Sequence, residues 1–304
     1  MHPDVRVLDG GLATELEAGG HDVGGGLWSA RVLVEQPGAV ADAHRAFFGA
    51  GADVATTAGY QVSRLSLRRA GADPADADGL LRLGVTVAQR ARDEVRPGGW
   101  VAGSVGPYGA SLADGSEYTG AYGLGDHAGT VRALRDFHRP RLSVLADAGV
   151  DVLACETVPR LAEVEALALE LAAVGVPAWV SLTVAGGRTR AGEPLAEAFA
   201  VLADVPALVG VGVNCCDAAE VPGAVALALA TTGRPAVAYP NSGELWLGDA
   251  GGWDGPPRWQ PEVLVDAVTA GAAFVGGCCR VSPADIAALV TSLADRQPTE
   301  VTRQ

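Results

Sequence analysis

The sequence predicts an α/β protein folded as a single (β/α)8 barrel, the TIM-barrel class, with its active site at the carboxyl ends of the strands. Short β-branched runs alternate with long Ala- and Leu-rich amphipathic stretches, and they do so eight times. Nearly continuous apolar strands separated by helices are typical of a parallel sheet covered by helices. Eight is also the number of strands that closes a barrel. A doubly wound open sheet is the main alternative. Its dinucleotide-binding form is disfavoured because no Gly-x-Gly-x-x-Gly follows the first strand.

The predicted elements follow one another without a linker. The strands are predicted at Val5–Asp9, Asp53–Thr57, Trp100–Ser104, Asp151–Cys155, Ala178–Thr183, Leu208–Asn214, Ala236–Tyr239 and Ala273–Gly277. The helices are predicted at Ala39–Ala50, Leu80–Val95, Thr130–Ala148, Leu161–Val174, Leu195–Leu202, Val221–Ala230, Pro261–Ala270 and Pro283–Leu293. Residues 1–304 are therefore expected to form one domain, with a frayed polar tail over residues 296–304.

Composition excludes several classes of function. Hydrophobic residues make up 49% of the 304 residues and charged residues 19%, so a large core is expected and disorder is not. The net charge of −14 argues against a nucleic-acid partner, which requires a basic patch. No apolar run approaches the roughly 18 residues of a membrane span. No charged-then-apolar signal segment opens the sequence, so a cytoplasmic location is expected.

Polar, thiol and glycine residues recur in the loops that follow the predicted strands, whereas the loops before the strands are plain Ala, Gly and Pro turns. The loops after strands include Asp9-Gly10-Gly11, Cys155-Glu156-Thr157, Asn214-Cys215-Cys216, Tyr239–Glu244 and Gly277-Cys278-Cys279. Sites in such barrels lie at the carboxyl ends of the strands. This asymmetry predicts which end of the barrel carries the chemistry.

Three cysteines at these strand ends predict a metal site. Cys215 ends the sixth strand, and Cys278 and Cys279 end the eighth, where Gly276 and Gly277 allow the backbone to bend and another group to approach closely. Zinc is held tetrahedrally by thiolates, and a catalytic zinc keeps one position open. The alternative is that each buried cysteine packs as a small hydrophobe, and this is the interpretation for Cys155. No histidine ends a strand, so none is predicted to bind the metal.

Three thiolates also indicate what the metal does. A zinc ion with three thiolates is electron-rich and therefore a poor generator of hydroxide. It is better suited to holding a substrate thiol as a thiolate near neutral pH. Two carboxylates at the same end of the barrel, Asp9 and Glu156, are predicted to hold a substrate ammonium group, with capping or solvation as the alternative.

Several motifs resemble those of the homocysteine S-methyltransferases, from about Val7 to Leu293. They are Asp9–Leu16, Gly103–Gly109, Cys155–Thr157, Gly212–Cys215, Tyr239–Glu244 and Gly276–Arg280. The segment Ser111–Gly120 resembles the branch that uses S-methylmethionine or S-adenosylmethionine more than the betaine-dependent branch. No cobalamin or folate module is expected, which disfavours the large methionine synthases.

The resemblance implies zinc bound by Cys215, Cys278 and Cys279, with homocysteine as the small-molecule substrate and its sulfur as the fourth ligand. It implies that Asp9 and Glu156 hold the amino group of homocysteine, with Gly10 and Asn214 also placed at the substrate, and that methionine is the product. A betaine-dependent or selenocysteine methyltransferase remains an alternative. In a different class, a non-enzymatic zinc or thiol redox protein using the Cys278–Cys279 pair also remains.

The donor side of the site is expected on two long loops, 104–126 and 242–259. Aromatic faces suit a sulfonium cation, and hydrophobic packing of a lid is the alternative role for each ring. The aromatic residues of these loops are Tyr108, Tyr118, Tyr122, Trp246 and Trp253. Tyr108, Glu244 and Trp246 are the residues predicted to bind the donor. The sequence does not rank S-methylmethionine and S-adenosylmethionine as donors.

Overall fold

The computed structural model describes residues 5–24, 27, 29–246 and 253–296, with only the backbone described at residues 245 and 246. Its parallel strands, numbered in chain order, are β1 (Arg6–Val7), β2 (Val54–Thr56), β3 (Trp100–Val105), β4 (Val152–Val158), β5 (Ala178–Leu182), β6 (Leu208–Asn214), β7 (Ala236–Tyr239) and β8 (Ala272–Val275). In space they run β1-β8-β7-β6-β5-β4-β3-β2, so each strand lies beside its neighbour in the sequence. A parallel bridge between Leu8 and Val54 joins the two ends of the sheet. The predicted eight-stranded barrel is confirmed.

The helices cover the outside of this barrel. They are α1 (Leu12–Ala18), α2 (Ser29–Glu35), α3 (Pro37–Gly49), α4 (Arg64–Arg69), α5 (Ala77–Val95), α6 (His127–Asp147), α7 (Leu161–Val174), α8 (Leu195–Leu202), α9 (Val221–Thr232), α10 (Pro261–Ala270) and α11 (Pro283–Asp295). The eight predicted helices are confirmed to within one turn at their ends. Three short ones, α1, α2 and α4, were not predicted. None of the described helices combines the length and apolar character that a membrane span needs.

Two short two-stranded ribbons lie at the carboxyl end of the barrel. Val184–Ala185 pairs with Arg188–Thr189 after β5, and Leu245–Trp246 pairs with Trp253–Asp254 after β7, both antiparallel. Neither ribbon was predicted, because pairs of two residues are too short to show a period-2 pattern.

Large side chains fill the interior of the barrel. Trp179 packs against Phe274 with ring centroids 5.6 Å apart and against Tyr239 at 6.4 Å, and Leu8 belongs to the same buried cluster. Such a barrel is a packed core and not a pore. The hydroxyl of Tyr239 is hydrogen-bonded to Glu156, so the apolar filling gives way to polar groups at this level.

Candidate metal and substrate site

Three thiols converge at the carboxyl end of the barrel. The sulfur atoms of Cys215, Cys278 and Cys279 all lie within 4.8 Å of one another, and those of Cys215 and Cys279 are 3.7 Å apart. Cys215 follows β6 and the other two follow β8. These strands are not neighbours, because β7 lies between them. The cluster therefore spans the end of β7.

Backbone geometry brings the thiols together. Cys215 has a φ of +49° and Arg280 a φ of +65°, both in the left-handed region that costs a non-glycine residue energy. Gly276 and Gly277 have no such φ, so the left-handed positions beside the cluster are Cys215 and Arg280 and not these glycines. The expected close approach is confirmed. A Cβ at Gly276 would lie 2.6 Å from Cβ of Leu8, and one at Gly277 would lie 2.2 Å from the Val281 side chain.

The turn after β7 holds both halves of the cluster. The Cys278 amide donates to the Pro240 carbonyl over 2.9 Å, and the Cys279 amide donates to Oδ1 of Asn241 over 3.1 Å. The Cys215 amide donates to the Tyr239 carbonyl over 3.2 Å. The Tyr239–Asn241 turn thus fixes the backbone of every cysteine in the cluster.

The thiols also control one another's ionisation. Hydrogen bonds from Cys278 and Cys279 hold the pKa of the Cys215 thiol well below its ordinary value. The same interactions, with Cys215 as the anion, raise the pKa values of Cys278 and Cys279. Without a metal, one of the three thiols, that of Cys215, ionises readily. A divalent cation would be needed to hold all three as thiolates.

Two buried carboxyl groups, Asp9 and Glu156, line the same cavity of about 130 Å³ as the three cysteines. Asp9 accepts hydrogen bonds from the amide and the hydroxyl of Thr56 at 2.7 and 2.9 Å. Burial raises its pKa to about 8. Glu156 accepts from Ser104 Oγ at 2.5 Å and from the Tyr239 hydroxyl at 3.2 Å, and burial raises its pKa to about 7. Both groups therefore favour a cationic ligand beside them.

Gly10 also lines the cavity. This position has no room for a side chain. A Cβ at Gly10 would lie 2.4 Å from the Val281 carbonyl oxygen. The Gly11 amide donates to this carbonyl over 2.9 Å. The glycine pair therefore packs the loop after β1 directly onto the loop that carries Cys278 and Cys279.

Asn214 is fully buried beneath the cluster and is not part of the cavity lining. Its Oδ1 accepts from the Thr157 amide at 2.7 Å and from Ser181 Oγ at 2.8 Å, and its Nδ2 lies 3.9 Å from Cys278 Sγ. Ser181 Oγ lies in turn 2.7 Å from the Tyr239 hydroxyl, which reaches Glu156. The geometry thus gives Asn214 a positioning role. Asn214 directly precedes Cys215, and its contacts through Ser181 and Tyr239 connect this end of β6 to Glu156 on the carboxylate side of the cavity.

Two of the predicted donor residues, Tyr108 and Glu244, do not line this cavity. Tyr108 packs against Tyr122 and Phe137, with ring centroids 5.2 and 5.1 Å away, and Glu244 pairs with Arg280 at 3.4 Å. Part of the predicted donor loop lies outside the described residues, namely the side chain of Trp246 and residues 247–252. Residue 28 and the predicted tail from residue 297 also lie outside them.

Two tyrosines occupy the place expected for those residues. Tyr118, in the short turn Ser116–Tyr118, places its hydroxyl 3.6 Å from Cys215 Sγ, and Tyr60 lines the cavity from the loop after β2. Tyr118 lies in the motif Ser111–Gly120, and Tyr60 follows a predicted strand. Both signals were present in the sequence, but only the loop conformation distinguishes these rings from Tyr108.

The remaining cysteines and histidines stand apart from the thiol cluster. Cys155 and Cys216 are buried in the core, and burial raises the pKa of Cys155 to about 12. His21, His44, His127 and His138 are not in the cluster, and His2 lies outside the described residues. Cys216 directly follows Cys215, yet the left-handed turn at Cys215 sends the two side chains apart.

Comparison with known proteins agrees with this geometry. The family model described as homocysteine S-methyltransferase matches residues 6–293. The chain belongs to the homocysteine S-methyltransferase family. A homocysteine S-methyltransferase from Escherichia coli K12 is 42% identical over 94% of each chain, and homocysteine S-methyltransferase 4 from Zea mays is 39% identical over 96% of this chain and 90% of its own.

A solved structure carries the family likeness into three dimensions. The metallated form of the homocysteine methyltransferase MmuM from Escherichia coli superposes with a TM-score of 0.84 at 41% identity, covering 96% of this chain and 97% of that one. The resemblance drawn from the motifs is confirmed, and with it the barrel fold and the assignment to the methyltransferase class of enzymes. The three-cysteine cluster is consistent with metal binding in this family member.

Proposed function

We propose that this protein transfers a methyl group from a sulfonium donor, S-methylmethionine or S-adenosylmethionine, to the thiolate of homocysteine, forming methionine. One observation supports this most strongly. Three sulfur atoms within 4.8 Å of one another share a cavity with two buried carboxyl groups. The pairing provides a metal for a thiol and anions for an ammonium group, which are the two ends of an amino-acid thiol.

Zinc is the metal we infer for Cys215, Cys278 and Cys279. In a tetrahedron with Zn–S bonds of about 2.3 Å the sulfur atoms lie roughly 3.8 Å apart. The 3.7 Å between Cys215 and Cys279 fits this spacing. Soft thiolate ligands select zinc over hard cations. When bound, the metal would supply a Lewis-acidic centre that keeps the substrate thiol deprotonated.

Asp9 and Glu156 would hold the ammonium group of homocysteine. Each is buried and accepts hydrogen bonds, yet burial raises the pKa of Asp9 to about 8 and that of Glu156 to about 7. A positive ammonium group beside them would favour both carboxylates. Gly10 lets the loop after Asp9 pack against Val281, and Asn214 fixes the end of β6 directly before Cys215.

The donor would approach from the side of Tyr60 and Tyr118. Their rings line the cavity, and the hydroxyl of Tyr118 lies 3.6 Å from Cys215 Sγ, so a cation there would lie against aromatic rings close to the acceptor sulfur. The homocysteine sulfur attacks the methyl carbon. The electron pair of the breaking S–C bond stays on the donor sulfur, which becomes a neutral thioether. We infer a reducing compartment such as the cytoplasm, because the three thiols must stay reduced.

A donor panel tests the proposal. Zinc-loaded protein is incubated with homocysteine and one of S-methylmethionine, S-adenosylmethionine, betaine or methylfolate, and methionine is quantified. We expect methionine from at least one sulfonium donor and none without protein. Methionine from betaine alone would overturn the donor assignment. Methionine from none of the four would contradict the enzymatic proposal and favour a thiol redox protein.

A further inference from the structure

Glu117 is a buried carboxyl group, one oxygen atom of which has no visible partner. It is 2% exposed, in the turn Ser116–Tyr118 after β3, and its Oε2 atom has no hydrogen-bond partner in the described part of the chain. Ser116 Oγ and Gln61 Oε1 lack partners in the same way. A buried carboxyl left unpaired is costly, and such a group calls for an explanation.

The carboxyl group lies close to the reacting end of the cavity. Its neighbour in the chain, Tyr118, lies 3.6 Å from Cys215 Sγ. The turn is fixed against Gly109, where a Cβ would lie 2.4 Å from the Glu117 amide nitrogen. Burial raises the pKa of Glu117, and a Cys215 anion raises it further. The charge of Glu117 likewise raises the pKa of Tyr60, so the carboxyl lies within electrostatic range of two groups that line the cavity.

The protein does not supply a counter-charge for Glu117 at this cavity. The chain contains no lysine, and no arginine belongs to the described lining. Glu117 is next in the chain to Tyr118 and is not itself part of the lining, and the ionisable groups of the lining are carboxyls, thiols and tyrosines, which are neutral or negative. A cation beside Glu117 would therefore come from a ligand. Coulombic attraction acts over several ångströms in a site with little water.

We propose that the Glu117 carboxylate recognises the positive sulfur of the methyl donor and makes this site select a sulfonium over an uncharged molecule of the same shape. The proposal rests on the proposed function. The donor sulfur must lie within bonding reach of the acceptor sulfur, and therefore near Cys215. Once the methyl group has left, the donor sulfur is neutral and the attraction disappears. Glu117 would thus contribute more to donor binding than to the rate of transfer.

The test compares a cation with its carbon isostere. Zinc-loaded protein is titrated calorimetrically, without homocysteine, with S-methylmethionine and with 2-amino-5-methylhexanoate, in which a CH group replaces the positive sulfur. Wild-type protein should bind the sulfonium more tightly. Glu117→Gln, which keeps the shape and removes the charge, should reduce this preference by about thirtyfold or more. Homocysteine affinity and metal content should stay the same.

Asp114→Asn is the matched control, because it removes an exposed carboxylate from the same loop while asparagine can still accept the hydrogen bond that Asp114 Oδ1 accepts from the Ser116 amide over 3.0 Å. It should leave the preference for the sulfonium unchanged. Melting temperature provides a second readout. An unpaired buried carboxyl destabilises the ligand-free protein, so Glu117→Gln should melt at the same temperature as wild type or higher. A structural role for Glu117 predicts a lower melting temperature instead.

Two outcomes would overturn the proposal: equal binding of the two ligands by wild-type protein, or an unchanged preference in Glu117→Gln. Because these titrations require no turnover, they are independent of the donor panel. Selective sulfonium binding without methionine formation would leave the role of Glu117 intact and refute the proposed function. Methyl transfer by wild-type protein, with an unchanged sulfonium preference in Glu117→Gln, would support the proposed function and refute the role of Glu117.

Discussion

Single residues carry the chemistry of this site, and their identification depended on placement. Cys215, Cys278 and Cys279 stand out in the sequence because they end predicted strands. The structure brings their sulfur atoms within 4.8 Å. Tyr60 and Glu117 could not be singled out in the same way, and Tyr118 could not be distinguished from the other loop aromatics, because the direction of a loop side chain depends on backbone turns. One such turn is the packing of Ser116–Glu117 against Gly109.

Removing one cysteine of the cluster should remove the metal. Cys278→Ala is expected to lower bound zinc from one ion per chain to near zero, and kcat/KM by more than about a hundredfold, since altering even residues that merely support ligands can cost that much. Elemental analysis of the purified protein and methionine formation measure the two effects. Cys216→Ala is the control. Its thiol lies in the core, so it should keep its zinc and lose only about 1 kcal/mol of stability. Full zinc content in Cys278→Ala would refute the ligand assignment.

The raised pKa values of Asp9 and Glu156, about 8 and about 7, make ammonium binding depend on pH. Each carboxyl is neutral below its pKa, so attraction for an ammonium group should grow as pH rises from about 6 to about 8. Norvaline isolates this effect because a methyl group replaces the thiol of homocysteine. Its affinity, measured by calorimetry, should rise several-fold over that range.

Asp9→Asn should weaken norvaline binding at pH 8 by about tenfold and flatten its pH dependence. Asp217→Asn removes an exposed carboxylate just after the cysteine pair and should leave both unchanged. If Asp9→Asn retained the affinity and pH profile of the wild-type protein, the ammonium would be held by other groups.

At the scale of elements, helix α6 supports the loops that surround the cavity. Arg141 is 3% exposed, and its guanidinium donates to the carbonyls of Gly106 at 2.8 Å and of Tyr60 at 3.0 Å. One side chain thus fastens the loops after β2 and β3 to the same helix. The α6 periodicity predicts the helix, but a buried arginine in a helical pattern gives no indication of which loops it reaches.

Replacing Arg141 should loosen both loops. Arg141→Met is expected to lower the free energy of unfolding by about 3 kcal/mol, because two buried carbonyl groups lose a charged donor. Donor KM should rise as Tyr60 becomes less fixed. Arg132→Met, on an exposed position of α6, should change stability by less than about 0.5 kcal/mol. Urea unfolding measures the free energy of unfolding of the two variants. Equal losses in the two variants would mean that Arg141 does not hold these loops.

The architecture of the whole molecule was largely predictable. Eight alternations of strand and helix identified the barrel, because its strands are continuous apolar runs and its long helices repeat a buried face. Shorter pieces escaped prediction. Helix α1 has 7 residues and helix α4 has 6, and such segments show too few turns for a periodic pattern. The order β8-β7-β6, which places the Tyr239–Asn241 turn beneath the cysteines, follows only from the closed sheet.

The barrel also explains why thiols and carboxylates meet. Asp9 follows β1, Glu156 lies near the carboxyl end of β4, and the cysteines follow β6 and β8, so four strands from around the ring contribute to one cavity. An open sheet would spread the same residues along an edge. The closed ring brings the two ends of an amino-acid thiol within reach of their partners, and this convergence is the basis of the proposed reaction.

Following the methyl group is the most direct test of that reaction. Zinc-loaded protein is given S-methylmethionine with both sulfonium methyl groups deuterated, together with homocysteine whose carbon chain is labelled with ¹³C, and the methionine is analysed by mass spectrometry. The account predicts methionine that carries the ¹³C chain and one CD3 group, and that disappears in Cys278→Ala. An absence of CD3 from the ¹³C-labelled methionine, with the metal site loaded, would contradict it.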